Sequence, residues 1–553
     1  MTRDTGFWTA LMLGGFLFFY QLGAVPLFDL DEAIYGETAR EMVETGNWIT
    51  PQFNYSPDFD KPVLLYWFMA ATFQIFGPSE FSARLPSAVF GLALLVMVYG
   101  FARRAANART GLLAMLILSS SLEMVALSHA ALTDMLLVFF ITAALACFYL
   151  FYKTERDFWL AGVYLGAALA VLTKGPVGLV LPGLTIFLFI ITVGPRDKLL
   201  RKIRPGWGML IFSAVALPWY AAIFWLHGAD FWDSFILRHN IDRFTSVIGG
   251  HAGAPFYYLA VLAIGFFPWA AFIPASLLSI FTASDSSERW KHIRRFPVER
   301  PLEWFLLLWA AVVFLFFTAA GTKLPSYIAP AVPALAVWVA CYLDRRMDAS
   351  SSTDAAEDRL SLGLMAVLTV ITAGLLLSIP QGIEWARMKY GALAPFLVQP
   401  IDLNRVLMTM ASILLVGVMT YASLLRLMRR WAGFMVLVLM MGAFVFVLLF
   451  DFIPSVSGYV QRPLQDLTEQ TRGWIRPEEP LVVFGMRKPS ILFYARRGAV
   501  IFKSNQQEDL RRFVSSNRHA VVLSQVALIP ILDAVPQLTI RAEQGGYVLA
   551  TNF

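Results

Sequence analysis

The sequence predicts a polytopic α-helical membrane protein of about thirteen transmembrane helices, followed by a small α/β domain at the C-terminus. Three observations predict it. Of 553 residues, 58% are hydrophobic and only 15% charged, whereas a soluble domain keeps roughly a quarter of its residues charged. Apolar runs long enough to cross about 30 Å of hydrocarbon recur through to residue 450. Lys and Arg collect in every second loop between those runs, as the positive-inside rule requires.

The expected spans are roughly 7–27, 82–102, 111–128, 132–152, 158–173, 176–194, 206–226, 255–280, 302–319, 327–343, 360–380, 403–425 and 431–451. The first is read as a retained span. It is long, and it leads directly into an acidic stretch instead of a small-residue cleavage site. With the N-terminus in the cytoplasm, the cytoplasmic loops carry Arg103, Arg104 and Arg109, then Lys153 and Arg156, then Arg196, Lys198, Arg201, Lys202 and Arg204. They continue with Arg289, Lys291, Arg294 and Arg295, then Arg345 and Arg346, and finally Arg426, Arg429 and Arg430. Dropping or adding one helix would invert half of these loops. The two cysteines, Cys147 and Cys341, sit inside apolar runs and can build neither a disulfide framework nor a Cys-based metal site.

This topology leaves outside the loops 28–81, 227–254 and 381–402 and the tail after Asp451. In the first, residues 29–44 predict an amphipathic helix on the membrane surface. Ile34, Tyr35, Ala39, Met42 and Val43 share one face, and Glu37, Arg40, Glu41 and Glu44 the other. Residues 62–76 are apolar but too short to span, so a second interfacial helix is expected there. The domain boundary is drawn at 453/454, where composition becomes that of a soluble domain. Within 454–553, Leu481–Phe484, 499–502, 520–523 and 547–550 predict strands, with helices at 488–496 and 506–517. The absence of a GxGxxG or P-loop run argues against a nucleotide-sugar donor.

Chemistry concentrates on the outer side. Asp29-x-Asp31-Glu32 places three carboxylates where the chain leaves the membrane. Asp29 and Glu32 fit a capping box, which leaves Asp31 unexplained. In Asp60-Lys61-Pro62 a lysine opens the interfacial helix, where it either meets a phosphate at headgroup level or simply snorkels. Further ionisable groups fall at outer helix ends: His129 and Asp134, Lys174, His239 with Arg243, and Lys323 with Tyr327. Such groups are costly at membrane depth, and their location on one side favours a shared anion site for a lipid phosphate.

The run Asp31-Glu32-Ala-Ile-Tyr35, Arg40-Glu41-Met42, Gly46-Asn47-Trp48, Asp60-Lys61-Pro62 and Arg84-Leu-Pro86 resembles the PMT/GT-C glycosyltransferase superfamily. Leu172-Thr173-Lys174-Gly175, His239 to Arg243 and Lys323-Leu324-Pro325-Ser326-Tyr327 resemble its bacterial aminoarabinose-transferase branch. The resemblance runs in order from the first span to about residue 345. It implies a GT-C fold and an inner-membrane enzyme whose active site faces the periplasm. It implies transfer of 4-amino-4-deoxy-L-arabinose from undecaprenyl phosphate to lipid A phosphates, which gives polymyxin resistance. By position, Asp31 matches the acid at the superfamily's catalytic centre, with Glu32 beside it as a second catalytic candidate, and Lys61 matches the lysine expected to grip the carrier phosphate. Lys174, Arg243, Lys323 and Tyr327 match residues expected around the same cavity, and Asp60, Asp134 and His239 are further candidates for binding substrate. Val63 stands where many relatives have a second proline, and Asp60 where many have Glu; neither change removes a charge.

The partners implied are an undecaprenyl-phosphate sugar donor, lipid A and membrane lipid, with no nucleic acid, and the chain is expected to act as a monomer. No cofactor is implied with certainty. A divalent metal ion stays open, because Asp134, His129 and His239 show no connecting ligand spacing. The alternative readings are a protein O-mannosyltransferase or another polyprenyl-phosphate-sugar transferase, and, in a different class, a lipid flippase or transporter. Inverted repeats or broken helices would mark the last, and the sequence shows neither.

Overall fold

The computed structural model of the chain describes residues 3–193, 202–247, 250–282, 295–348, 355–390, 401–476, 479 and 481–553. Among these, nine helices are long and apolar enough to cross a membrane, or eleven when each of two bent pairs counts as one span. The chain is a multi-pass membrane protein. α1 (Arg3–Phe19) and α9 (Val177–Val193), which stand for the expected spans 7–27 and 176–194, are shorter, at 17 residues each.

Two expected straight spans are broken, which corrects the sequence reading. Between 108 and 128, α5 (Ala108–Ser119) and α6 (Leu122–Ser128) meet at 65°. Ser119 and Ser120 both donate their hydroxyls back to Leu116 O, competing with the helical ladder where it breaks. Helices Tyr257–Gly265 and Trp269–Ile280 meet at 119°, with Pro268, which has no N–H to donate, at the break.

Charged side chains tie the basic loops to one another at one end of the bundle. Lys153 donates to the carbonyls of Arg104 and Ala105, and Asp344 binds Asn107, Arg109 and Thr110. Lys202 pairs with Glu155, Arg204 with Asp157 and Arg345 with Glu303, while Arg346 and Arg430 share Asp358. Arg196, Lys198, Arg201, Arg289, Lys291 and Arg294 lie outside the described residues.

The opposite end carries α2 (Asp31–Thr45), the two-residue hairpin strands β1 (Gln52–Phe53) and β2 (Ser56–Pro57), and α3 (Leu64–Phe76). α2 stops at Gly46, whose φ of 69° suits a residue without a Cβ. Its polar face is not solvated as expected: Glu37, Arg40 and Glu41 are 0%, 6% and 0% exposed. Arg40 grips Glu37 with Nε and Nη2, each at 2.7 Å, and Glu44 with Nη1 at 2.5 Å. Buried charges persist where they are paired in this way.

The helix that begins at Arg430 runs past the compositional boundary at 454 and continues to Val460. Beyond it lies a five-stranded sheet of order β4-β3-β5-β7-β6. β3 (Leu481–Phe484), β4 (Ala499–Phe502), β5 (Val521–Gln525) and β7 (Tyr547–Thr551) stand where strands were expected, and β6 (Thr539–Gln544) was not anticipated. β3 pairs parallel to β4 and β5, and β7 pairs antiparallel to β5 and β6. The sheet domain docks on α2 and its flanks. The Leu27 N–H donates to Tyr494 Oη at 2.7 Å, the Asn54 side chain brackets both backbone groups of Ala499, and Tyr494 donates to Glu80.

Candidate functional site

The long helix Pro205–Phe231 passes into a π-helix, Trp232–Asp242, an uncommon geometry that concentrates at functional sites. It delivers His239, and Arg243 follows directly. α8 (Asp157–Lys174) ends on Lys174 because Gly175 turns the chain at φ 83°. A Cβ at Gly175 would lie 2.8 Å from the Phe235 ring, so only glycine lets the π-helix come this close to Lys174.

These elements and the loop before α3 line a cavity of about 470 Å³. Its polar lining includes Asp60, Lys61, Lys174, His239, Arg243 and Tyr327. Asp60 Oδ1 is 2.6 Å from His239 Nδ1, 2.8 Å from Lys61 Nζ and 3.8 Å from Arg243 Nη1. Burial pushes the Asp60 carboxyl up, but Lys61 and His239 overcome it and hold the group well below the usual carboxylate range. Burial lowers Lys61, Asp60 opposes that, and the charges of Arg243 and Lys174 lower it further. Lys174 donates to Asp134 Oδ1 at 2.7 Å, and its ammonium lies 4.8 Å from the Tyr327 ring centroid. Arg243 Nε is buried with no hydrogen-bond partner among the described residues. The rest of the lining is largely apolar and includes Val177, Val180, Phe235, Ile236, Phe316 and Phe317. A pocket that combines cations with an aromatic and aliphatic lining suits a phosphate carried on a hydrocarbon chain.

Asp31 is the first residue of α2. It is exposed and has no hydrogen-bond or ion-pair partner among the described residues. Its charge reaches two buried phenols nearby. Burial and then Asp60 and Asp31 push Tyr35 up, and burial with Asp58, Asp60 and Asp31 does the same to Tyr66. Tyr35 donates to Asp60 Oδ2 at 3.4 Å, while the buried Tyr66 Oη has no partner among the described residues. Tyr35 and Asp58 did not stand out as site residues in sequence. Tyr35 counts there as a helix-face residue, and only the fold turns it toward three carboxylates.

Asp31, Glu32, Asp134 and Lys323 are not among the residues lining this cavity, and two of them are committed elsewhere. Glu32 does not stand beside Asp31 as a second catalytic acid, because both of its oxygens are committed to the protein. Oε1 accepts from Arg84 Nε and Ala131 N, and Oε2 from Arg84 Nη2 and Phe28 N, all between 2.7 and 2.9 Å. Burial would raise its carboxyl, but Arg84 and the two N–H donors hold it below the ordinary value. Lys323 is the second correction. Its ammonium caps the end of helix Pro301–Ala319 by donating to Thr318 O and Ala320 O at 2.8 and 2.7 Å. The capping box read from Asp29 and Glu32 is also not formed, since α2 has no side-chain cap. His129 bonds the carbonyls of Tyr20 and Val125. Among the described residues, no group of three or more His, Cys, Asp or Glu side chains is arranged to hold a metal ion.

Residues 60–221 match the family described as dolichyl-phosphate-mannose-protein mannosyltransferase. The chain is 33% identical over 335 residues to the undecaprenyl phosphate-alpha-4-amino-4-deoxy-L-arabinose arabinosyl transferase of Shewanella sediminis, covering 59% of this chain and 57% of that protein. The same kind of transferase from Yersinia pestis is 33% identical over 352 residues, or 62% of this chain and 60% of that one. Over these stretches the chain resembles the PMT/GT-C superfamily. Its match spans about three fifths of the length of these relatives, which lie on the aminoarabinose-transferase branch. A likeness of fold extends over the whole chain. ArnT from Cupriavidus metallidurans bound to undecaprenyl phosphate superposes with a TM-score of 0.79, covering 100% of this chain and 98% of that one at 22% identity. The oligosaccharyltransferase AglB of Archaeoglobus fulgidus gives 0.51 at 14% identity, over 95% of this chain and 70% of that one.

Proposed function

We propose that this GT-C protein moves 4-amino-4-deoxy-L-arabinose from undecaprenyl phosphate to lipid A phosphate groups at the periplasmic face of the bacterial inner membrane. The observation that carries the reading is one cavity whose lining combines three cations and a histidine with aromatic and aliphatic side chains. The names of the arabinosyl transferases it resembles, and the carrier bound in the Cupriavidus protein of similar fold, support the choice of donor.

In the proposed reaction, the bond from the anomeric carbon to the donor phosphate oxygen breaks and its electron pair leaves with undecaprenyl phosphate. A new bond forms from that carbon to a lipid A phosphate oxygen, with inversion if the displacement is direct. The acceptor phosphate is largely ionised at neutral pH, since its second pKa is about 6, so no proton need be removed. Catalysis then consists of positioning two anionic lipids and stabilising the departing phosphate. Lys61, Lys174 and Arg243 supply the positive field, with Asp60, Asp134, His239 and Tyr327 holding these groups in place. Asp31 orients the sugar, through its ammonium or hydroxyl groups, with a carboxylate that the fold leaves unpaired. Masking lipid A phosphates lowers surface negative charge, the basis of polymyxin resistance.

The topology proposed with it has thirteen crossings, counting α1 and α9 as spans, the N-terminus in the cytoplasm and the sheet domain at 454–553 in the periplasm. One chain supplies every residue of the cavity, so a monomer suffices. A second reading, O-mannosylation of a protein hydroxyl, gains from the family match and from Asp31, an unpaired carboxylate able to act as a base. Mass spectrometry of lipid A from cells with and without the gene separates the two. An added aminopentose present only with the gene is expected, and an unchanged lipid A rejects the proposal.

A further inference from the structure

We infer that the C-terminal α/β domain is a working part of the active site, and that Asp29 and Ser490 form a latch that positions Asp31. The inference rests on the reading of Asp31 as a catalytic residue. Asp29 lies two residues before Asp31, and its side chain is 5% exposed. Its carboxylate is filled entirely by the sheet domain. Oδ1 accepts the Ser490 N–H at 2.9 Å and Oδ2 accepts the Ser490 hydroxyl at 3.0 Å, with Lys488 Nζ 3.4 Å from Oδ2. Tyr494, one helical turn after Ser490, takes the Leu27 N–H on the same helix face. The segment before α2 is therefore bolted at Leu27 and at Asp29 by one short helix, and at Phe28 by Glu32.

Leu30 occupies the cap position of α2, which goes without a side-chain cap. The neighbouring Asp29 carboxylate is taken by a contact 461 residues away. Gluing the domain down does not require this, because Asn54 to Ala499 and Tyr494 to Glu80 already dock it without touching the segment 28–31. What the latch adds is a fixed direction for the one carboxylate in that segment that has no partner. Lys61, Lys174, His239 and Arg243 stand on other elements, so losing the latch should disturb the reacting geometry and leave donor capture intact. A displacement of about 1 Å at a reacting centre can cost about 100-fold in rate.

The test uses the full chain in lipid nanodiscs, with Asp29→Asn, Ser490→Ala, Ser490→Thr, Asn54→Ala and Asp31→Asn. Asp29→Asn should cut the single-turnover rate by about 10- to 100-fold, and Ser490→Ala by a smaller factor. Affinity and stoichiometry for undecaprenyl phosphate should stay unchanged in both. Ser490→Thr, which keeps the hydroxyl, should restore the rate, and Asn54→Ala should leave it at the wild-type value. If Asp29→Asn fails to fold, Ser490→Ala decides, since it retains the backbone and Lys488 contacts. Wild-type turnover in both latch variants beside an inactive Asp31→Asn overturns the latch alone. So does an Asn54→Ala loss equal to that of Asp29→Asn, because general docking then explains it. An active Asp31→Asn overturns the assignment of Asp31 itself.

Discussion

Replacing Glu32 by Gln should destabilise the end of the bundle that carries α2 before it touches the proposed chemistry. Each Glu32 oxygen accepts two hydrogen bonds, one from Arg84 and one from a backbone N–H. An amide nitrogen at either position would point a donor at two donors, so two of the four bonds are lost at once. Arg84 is 2% exposed and its remaining partners are the carbonyls of Leu22, Val25 and Pro26. Its charge would therefore be left buried without a counter-charge. Breaking a buried pair by removing one partner costs about 3–5 kcal/mol, and two bonds to charged groups at about 1.5–3 kcal/mol each give about 3–6 kcal/mol. Thermal unfolding in nanodiscs, read beside transfer per folded molecule, should show a large stability loss with the remaining folded protein active. A Glu32→Gln protein of wild-type stability that cannot transfer sugar would refute this account and return Glu32 to the catalytic centre.

Lys61→Ala and Arg243→Ala should each weaken undecaprenyl phosphate binding by about 30-fold to several thousand-fold, the equivalent of about 2–5 kcal/mol for a desolvated charge contact. Unchanged affinity by calorimetry would make them structural. Lys323→Met should cost about 1–2 kcal/mol of stability through the two freed carbonyls while leaving donor affinity alone; a lost affinity would restore it to the binding site. Glu41 sets a pH dependence. Burial and then the charge of Glu37 push its carboxyl up to about 8, from an ordinary value of 4.5. Between those values the folded chain keeps a proton that the unfolded chain releases, so stability falls as pH rises through that window, by at most about 1.4 kcal/mol per unit. Glu41→Gln should flatten the melting temperature against pH, and parallel curves for the two proteins would contradict the assignment.

Much of this architecture was legible because membrane crossing is a length and polarity constraint that acts on contiguous residues. The Lys and Arg loops report their common side one residue at a time. Ionisable groups at helix ends pointed toward one another for the same reason, and the structure gathers Asp60, Lys61, Asp134, Lys174, His239, Arg243 and Tyr327 into one place. Pairing across the fold was not legible. Glu32 reads as a neighbour of Asp31 until Arg84, 52 residues on, and the Ala131 N–H, 99 residues on, claim it. The charged face of α2 reads as solvated because its partner Tyr55, which meets Arg40, Glu41 and Glu44, comes from the hairpin beyond the helix. β6 escaped notice because its alternate residues are exposed, which leaves no apolar run to see.

The central claim concerns what receives the sugar, and purified protein answers it directly. Transfer from undecaprenyl-phosphate aminoarabinose should be measured with bis-phosphorylated lipid A and with the same lipid dephosphorylated. The account predicts inverted product on the phosphorylated acceptor and none on the other. Equal transfer to both, or transfer only to a peptide serine or threonine, would contradict it.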